Sequence, residues 1–173
     1  MIQIDDSGIG SLLGGVYIGL YDTDTETLYA KPIPVSYFQG EKFAKQDYIR
    51  KALDIVKNGL IALNIDYKDN PVDVQCCRGF ALTEIRKWLL TQQERTWCRE
   101  VSFVKIKDPL QSLLEAKLSK YLGRYGVPNK SGSGGHRMSF NDMLEWVKED
   151  LTRIKYVKTG WPAWKEKYSK ECS

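Results

Sequence analysis

Two adjacent carboxylates and the glycine-rich turn after them are the first candidates for chemistry in this chain. Asp5 and Asp6 end a short apolar strand (2–6), and a Gly/Ser-rich turn (7–15) leads to a second strand near Val16. Acids at the tip of a strand beside such a turn often hold a metal ion or meet a phosphate. Successive side chains of a strand point to opposite faces, so both acids would not serve one ion, and we select Asp5. The alternative for Asp5 is a turn residue whose carboxylate accepts hydrogen bonds from backbone amides.

Further candidates lie later in the chain. Asp142 begins an amphipathic segment, with Glu145 on a neighbouring face three residues further along. Asp47 lies in the first turn of an earlier predicted helix. All three also fit the description of solvated helix acids. His136 is the one histidine of the sequence and lies in a Gly/Ser-rich loop. Functional residues gather in such loops, although a surface histidine without a role fits the sequence equally well.

The four cysteines do not predict a metal centre. They lack paired CxxC spacing, and a zinc site with one histidine available would need a better cluster. Cys76 and Cys77 lie in an apolar strand, where free cysteine usually serves as a small buried side chain. We therefore interpret both as core residues, with thiol chemistry as the alternative.

Size and composition predict a single domain over residues 1–173. A core of about 1–154 would be followed by a basic, tryptophan-bearing segment, 155–173. The net charge of +4 permits binding to a nucleic-acid backbone without requiring it. No apolar run approaches the roughly 20 residues of a membrane helix. The first residues do not resemble a signal peptide. We therefore expect a cytoplasmic protein without membrane association.

Apolar periodicity predicts an α/β fold with elements in the order β-β-β-α-β-α-β-α-α. Strands are expected at 2–6, 16–21, 28–38, 72–77 and 101–106, and helices at about 42–63, 83–89, 109–122 and 140–151. The first three strands form an antiparallel meander, with Pro32 and Pro34 placing the third at an edge. A crossover helix then makes the fourth strand parallel to the first. The result is a five-stranded mixed sheet with helices on both faces.

This order resembles the ribonuclease-H-like superfamily, which includes ribonucleases H, RuvC-type resolvases, transposases and several exonucleases. The strand 2–8 (IQIDDSG) is similar to the family's strand with a metal-binding aspartate. Asp47 lies where ribonucleases H carry a further metal-binding acid. The segment 126–128 (GVP) with His136 and Asp142 is similar to the resolvases' histidine and aspartate around a final helix.

The resemblance implies a Mg²⁺- or Mn²⁺-dependent nuclease or phosphodiester hydrolase that acts on nucleic acid. The catalytic residues that it implies are Asp5, Asp142 and His136. The metal ligands would be drawn from Asp5, Asp142, Asp47, Glu145 and Glu84. Contacts with the substrate are predicted for Ser7 and Ser11 in the first turn, and for Lys130 and Arg137 in the later Gly/Ser-rich segment.

One departure from the family pattern favours a different function. The family usually has an acid at the end of its central strand, where this sequence has the segment 76–79 (CCRG). Asp73 lies earlier in that strand and Glu84 lies on the next helix. Two Mg²⁺ ions need several converging carboxylates. The alternative is therefore a non-catalytic binding or interaction module that keeps the fold with an incomplete metal site.

Two further segments also have alternative interpretations. The run 131–135 (SGSGG) could cradle a phosphate, but such runs are more often hinges. Trp161 and Trp164 lie among basic residues, a pattern that can bind single-stranded nucleic acid. Tryptophans in a terminal segment more often attach it to the core, and we favour that interpretation.

Overall fold

A computed structural model describes residues 1–65, 71–93, 97–128, 138–162, 164–170 and 172. The strands are β1 (Ile2–Ser7), β2 (Val16–Asp22), β3 (Thr27–Ile33), β4 (Val72–Cys76) and β5 (Cys98–Phe103). The α-helices are α1 (Gly40–Ala44), α2 (Asp47–Ala62), α3 (Thr83–Gln92), α4 (Leu110–Gly123) and α5 (Phe140–Lys148). Short 3₁₀ segments are Val35–Phe38, Phe80–Leu82 and Leu151–Tyr156, and Trp164–Tyr168 is π-helical. Within these described ranges, no helix is both long and apolar enough to cross a bilayer.

The strands form one mixed sheet in the order β3-β2-β1-β4-β5, with β1 in the centre. β1 runs antiparallel to β2, where Asp5 lies opposite Gly19, and parallel to β4, where Ile4 lies opposite Cys76. β4 in turn runs parallel to β5. The predicted five-stranded mixed sheet is therefore confirmed. β3 contains Pro32 and lies at one edge of the sheet, as its two prolines predicted.

Helices cover both faces of the sheet. This is seen at β2, where consecutive residues point to opposite faces and pack against different helices. Ile18 and Leu20 belong to the main hydrophobic core, which also contains the buried residues of α2. Gly19 faces the other way, and a Cβ added to it would lie 2.5 Å from a methyl group of Leu114 in α4. Tyr17 makes an edge-on ring contact with Tyr121 of α4. The glycine thus lets α4 approach the sheet directly beside Asp5.

The C-terminal segment packs against the turn that follows β1. Val157 and Trp164 are buried together with Leu12 and Leu13 of that turn in a second hydrophobic cluster. Leu13 and Val157 also form an isolated antiparallel bridge. The tryptophan-bearing segment is therefore attached to the core, as we expected from its aromatic residues.

Several predicted boundaries differ from the observed ones for local reasons. The helix expected from 42 is divided into α1 and α2, because Gln46 adopts a left-handed conformation with φ of 56°. The last helix ends at Lys148 rather than at 151. Asp150 caps a new 3₁₀ segment there, its carboxylate accepting a hydrogen bond from the Thr152 amide at 3.0 Å. The third strand ends before Pro34, which precedes a 3₁₀ turn.

Candidate functional site

A cleft of about 280 Å³ opens at the carboxyl end of the central strand. Asp5 and Asp6 of β1 line it, together with Glu115 of α4 and Lys105, which follows β5. Crevices at the carboxyl ends of strands are where open α/β sheets usually bind ligands. We call this crevice the acidic cleft, because three of the four charged side chains that the described residues contribute to it are acidic.

Asp5 is the most buried acid of the acidic cleft, with only 7% of the residue exposed. One carboxylate oxygen accepts a hydrogen bond from the Asp6 amide at 2.8 Å, and the Cys77 thiol donates another to the carboxylate. Burial raises the pKa of the Asp5 carboxyl above its ordinary value, and these two hydrogen bonds offset part of that rise. A carboxylate held in this way gains more than a solvated one from a nearby cation.

The two neighbouring cysteines are protonated at neutral pH. Cys76 is fully buried within β4, and burial raises the pKa of its thiol to about 12. Cys77 follows the strand, and burial together with its hydrogen bond to Asp5 raises the pKa of its thiol. Cys77 therefore serves Asp5 as a hydrogen-bond donor, at the strand end where the family pattern would have an acid. The sequence did not predict this role, because both cysteines fit the pattern of buried core residues.

β1 includes both Asp5 and Asp6, so strand alternation places their side chains on opposite faces, although both line the acidic cleft. Its carboxylate lies against Gly79 in the segment after β4. A Cβ on Gly79 would lie only 2.3 Å from a carboxylate oxygen of Asp6. Because Gly79 has no side chain, the Asp6 carboxylate can occupy the space beside it.

The turn after β1 is organised around a buried lysine. Lys158 is 1% exposed, and its ammonium donates to the carbonyl oxygens of Gly8, Ser11 and Leu13 at 3.0, 2.7 and 3.3 Å. The Ser11 hydroxyl is also used within the turn, donating to the Leu13 carbonyl at 3.0 Å. Ser7, by contrast, lines the acidic cleft. Of the two serines predicted to contact substrate, only Ser7 lies in this cleft.

The acids predicted on helices lie away from the acidic cleft. Asp142 forms a capping box at the start of α5, where its carboxylate accepts from the Ser139 amide at 3.1 Å. It lines a separate pocket together with Glu145, which pairs with Lys148 at 3.0 Å. Asp47 pairs with Arg50 one helical turn away. Glu84 pairs in the same manner with Lys87.

The structure does not assemble the predicted metal-ligand set. In the part of the chain that the structure describes, no group of three or more His, Cys, Asp or Glu side chains is placed to hold a metal ion. Asp5 lines the acidic cleft, whereas Asp142 and Glu145 line a separate pocket and Asp47 lines neither of the two. The other predicted residues, His136, Lys130 and Arg137, lie outside the described residues.

Two residues of the acidic cleft, Glu115 and Lys105, were not predicted from the sequence. Glu115 directly follows Leu114, and α4 buries Leu110, Leu114 and Leu118 at intervals of four residues. A polar residue beside such a buried stripe lies at the margin between helix and sheet. That flanking position is the signal that could have identified Glu115. Lys105 follows the end of β5 and carries no comparable signal.

Comparison with known proteins does not assign this chain to a family. The sequence matches no protein-family model, and no curated protein is significantly similar to it. Its function is therefore inferred from the geometry of the acidic cleft and of the surfaces around it.

Proposed function

We propose that the acidic cleft is the active site of a Mg²⁺- or Mn²⁺-dependent hydrolase that cleaves phosphodiesters in nucleic acid. The observation that carries the proposal is the buried Asp5 carboxylate at the carboxyl end of the central strand, in one cleft with Asp6 and Glu115. The order of elements that suggested a ribonuclease-H-like fold, with β1 central and β2 antiparallel to it, supports the same assignment.

The donors in the acidic cleft suit a single hard cation. Mg²⁺ prefers oxygen ligands, and it is usually bound by one or two carboxylates, with waters and substrate phosphates completing its shell. Asp5 and Glu115 supply two carboxylates from two different elements. A site that leaves coordination positions for the substrate needs fewer protein carboxylates than a two-metal site.

The residues of the acidic cleft would have two roles: some would bind charged groups, and others would orient the Asp5 carboxylate. A bound divalent ion supplies an activated water and neutralises charge on the leaving oxygen. Asp5 and Glu115 would hold the ion, and the Cys77 thiol and the Asp6 amide would keep the Asp5 carboxylate oriented. Lys105 lies in the same cleft and offers a positive charge to a substrate phosphate.

The test is the melting temperature with and without millimolar Mn²⁺, followed by hydrolysis of a labelled oligonucleotide. An ion that binds the native state stabilises it by mass action, by about 1.4 kcal/mol at ten times its Kd. We expect this shift in the wild type, a smaller one in Glu115→Gln and none in Asp5→Asn. Asp142→Asn is the matched control, because Asp142 lies in another pocket, and it should keep the full shift. An equal shift in Asp5→Asn would contradict the proposed site.

The second candidate is a non-catalytic binding module that keeps the same fold. Two observations favour it: a thiol rather than a carboxylate follows β4, and the described residues contain no three-ligand group. This function predicts oligonucleotide or protein binding with no Mn²⁺-dependent shift and no hydrolysis. The same two measurements therefore separate the candidates.

A further inference from the structure

A large apolar pocket lies beside the acidic cleft. Its volume is about 520 Å³, within the usual range for ligand pockets, and the rings of Phe43, Tyr48, Phe80 and Trp161 line it. We call it the aromatic pocket. None of the described residues that line it carries a charged side chain. Its chemistry therefore suits a flat, uncharged ligand rather than an ion.

The four rings of the aromatic pocket form a continuous series. The ring centroids of Trp161 and Phe43 lie 6.5 Å apart, those of Phe43 and Tyr48 5.5 Å apart, and those of Tyr48 and Phe80 6.3 Å apart. The corresponding interplanar angles are 27°, 11° and 35°. The rings come from the C-terminal segment, α1, α2 and the 3₁₀ turn after β4. Four separate segments of the chain thus converge on one aromatic surface.

Phe80 is the most accessible of these rings, with 59% of the residue exposed. Phe80 belongs to the apolar lining of the pocket, and contiguous exposed apolar surface marks ligand-binding grooves, whereas a single exposed apolar residue does not. Because Phe80 is exposed, its replacement removes ring surface without opening a cavity in the core. It is therefore the residue with which to test the pocket.

The aromatic pocket and the acidic cleft share part of their wall. Ile9 and Gly10, in the turn after β1, line both. Gly79 lines the cleft and the next residue, Phe80, lines the pocket. A ligand with an anionic group in the cleft would therefore place its neighbouring group at the aromatic pocket.

We propose that the aromatic pocket binds an unpaired nucleobase of the strand whose phosphodiester lies in the acidic cleft. This inference rests on the proposed function, and it adds a preference for single-stranded over duplex substrate. A base is flat and uncharged, and it stacks on aromatic side chains with little dependence on sequence. In a duplex both faces of each base are already stacked, so the pocket would take only unpaired bases.

The test measures binding of a labelled, hydrolysis-resistant single-stranded oligonucleotide by fluorescence anisotropy in millimolar Mn²⁺, because without the ion the acids of the cleft would repel a phosphate. Loss of one stacking ring typically weakens single-strand binding by about 5- to 150-fold, and we expect this for Phe80→Ala. Phe80→Trp should keep wild-type affinity, since it keeps a ring. Leu90→Ala is the matched control, because Leu90 is 50% exposed on α3 outside the pocket. Its affinity should not change.

Several results would overturn the inference. These are equal affinities of Phe80→Ala and wild type, equal affinities for the oligonucleotide and an abasic strand of the same length, and equal or tighter binding of the duplex. A nucleoside monophosphate that binds as tightly as the strand, and only when Phe80 is present, would also overturn it by assigning the pocket to a small molecule.

The inference and the proposed function fail separately. If oligonucleotide binding depends on Phe80 but the protein shows no Mn²⁺-dependent hydrolysis, the base-binding site is supported and the proposed nuclease activity is contradicted. If hydrolysis depends on Asp5 but binding does not depend on Phe80, the proposed nuclease activity is supported and the base-binding site is contradicted. In an active enzyme, Phe80→Ala should raise KM for the single strand and leave kcat nearly unchanged.

Discussion

At the scale of a residue, Asp5 has the surroundings that the proposed cation site requires. It is nearly buried, it accepts hydrogen bonds from the Asp6 amide and the Cys77 thiol, and its pKa is raised by burial. Neither donor carries a full positive charge. Within the described residues, these donors leave the negative charge of Asp5 only partly compensated, and this supports the proposal that a cation binds there.

Asp5→Asn is expected to raise the free energy of unfolding at pH 7 by about 1 kcal/mol and to abolish the proposed hydrolysis. A carboxyl whose pKa is higher in the folded than in the unfolded state loses its proton at a cost to the folded state. This cost appears as the pH rises from the unfolded pKa through the folded pKa, and it is absent when both states are protonated. The increase in the free energy of unfolding that Asp5→Asn causes should therefore disappear at acidic pH.

Urea denaturation at several pH values measures this effect. Asp47→Asn is the control, because Asp47 pairs with Arg50 at the surface and should change stability by no more than about 0.5 kcal/mol. A loss of stability in Asp5→Asn at pH 7 would mean that the charge of Asp5 is needed by the fold itself.

At the scale of an element, α5 shows why a promising acid lies outside the acidic cleft. Ser139 and Asp142 satisfy each other's backbone amides in a capping box, both at 3.1 Å. The buried side chains of α5 pack into the second hydrophobic cluster with Leu12 and Leu13. The helix thus supports the turn after β1 without bringing its first acid to Asp5.

Asp142→Ala is expected to lower the free energy of unfolding by about 0.5 to 2 kcal/mol, because the helix loses a cap. Ser139→Ala removes the other half of the same capping box and should cost a similar amount. Chemical denaturation measures both. The Mn²⁺-dependent shift in melting temperature should survive in each variant, and its loss in Asp142→Ala alone would make Asp142 a metal ligand.

At the scale of the whole molecule, the C-terminal segment holds the turn that follows the central strand. Lys158 lies 150 residues from Gly8, yet its ammonium donates to that carbonyl and to two others of the turn. The same segment contributes Trp161 to the aromatic pocket. One terminal segment therefore stabilises both the acidic cleft and its neighbour.

Lys158→Met is expected to lower the free energy of unfolding by about 2 to 4 kcal/mol, because buried carbonyls lose a charged donor. Amide hydrogen exchange should become faster at residues 8–14, where the turn is held. Lys155→Met is the control, since Lys155 is exposed and lies over the ring of Tyr156. Equal stability of the two variants would show that Lys158 is dispensable.

The order of strands and helices, the parallel arrangement of β4 and β1, and the place of Asp5 near the carboxyl end of β1 follow from the sequence by itself, although β1 extends to Ser7 rather than ending at Asp6. Alternating and helical apolar patterns act over short distances, and the handedness of crossover connections leaves few ways to join such elements. Division of the first predicted helix at Gln46 was missed, because a left-handed φ in a non-glycine residue has no such pattern.

The partners of Asp5 were decided only by the tertiary structure. Glu115 reaches the acidic cleft because Gly19 admits α4 to the sheet, and Cys77 reaches Asp5 because β4 lies parallel to β1. In the sequence, Lys158 resembles the other solvated cations of a basic tail. Only the tertiary structure shows that it is buried against the turn. Burial, hydrogen bonding and pKa depend on neighbours that are distant in the chain, and local sequence patterns do not encode them.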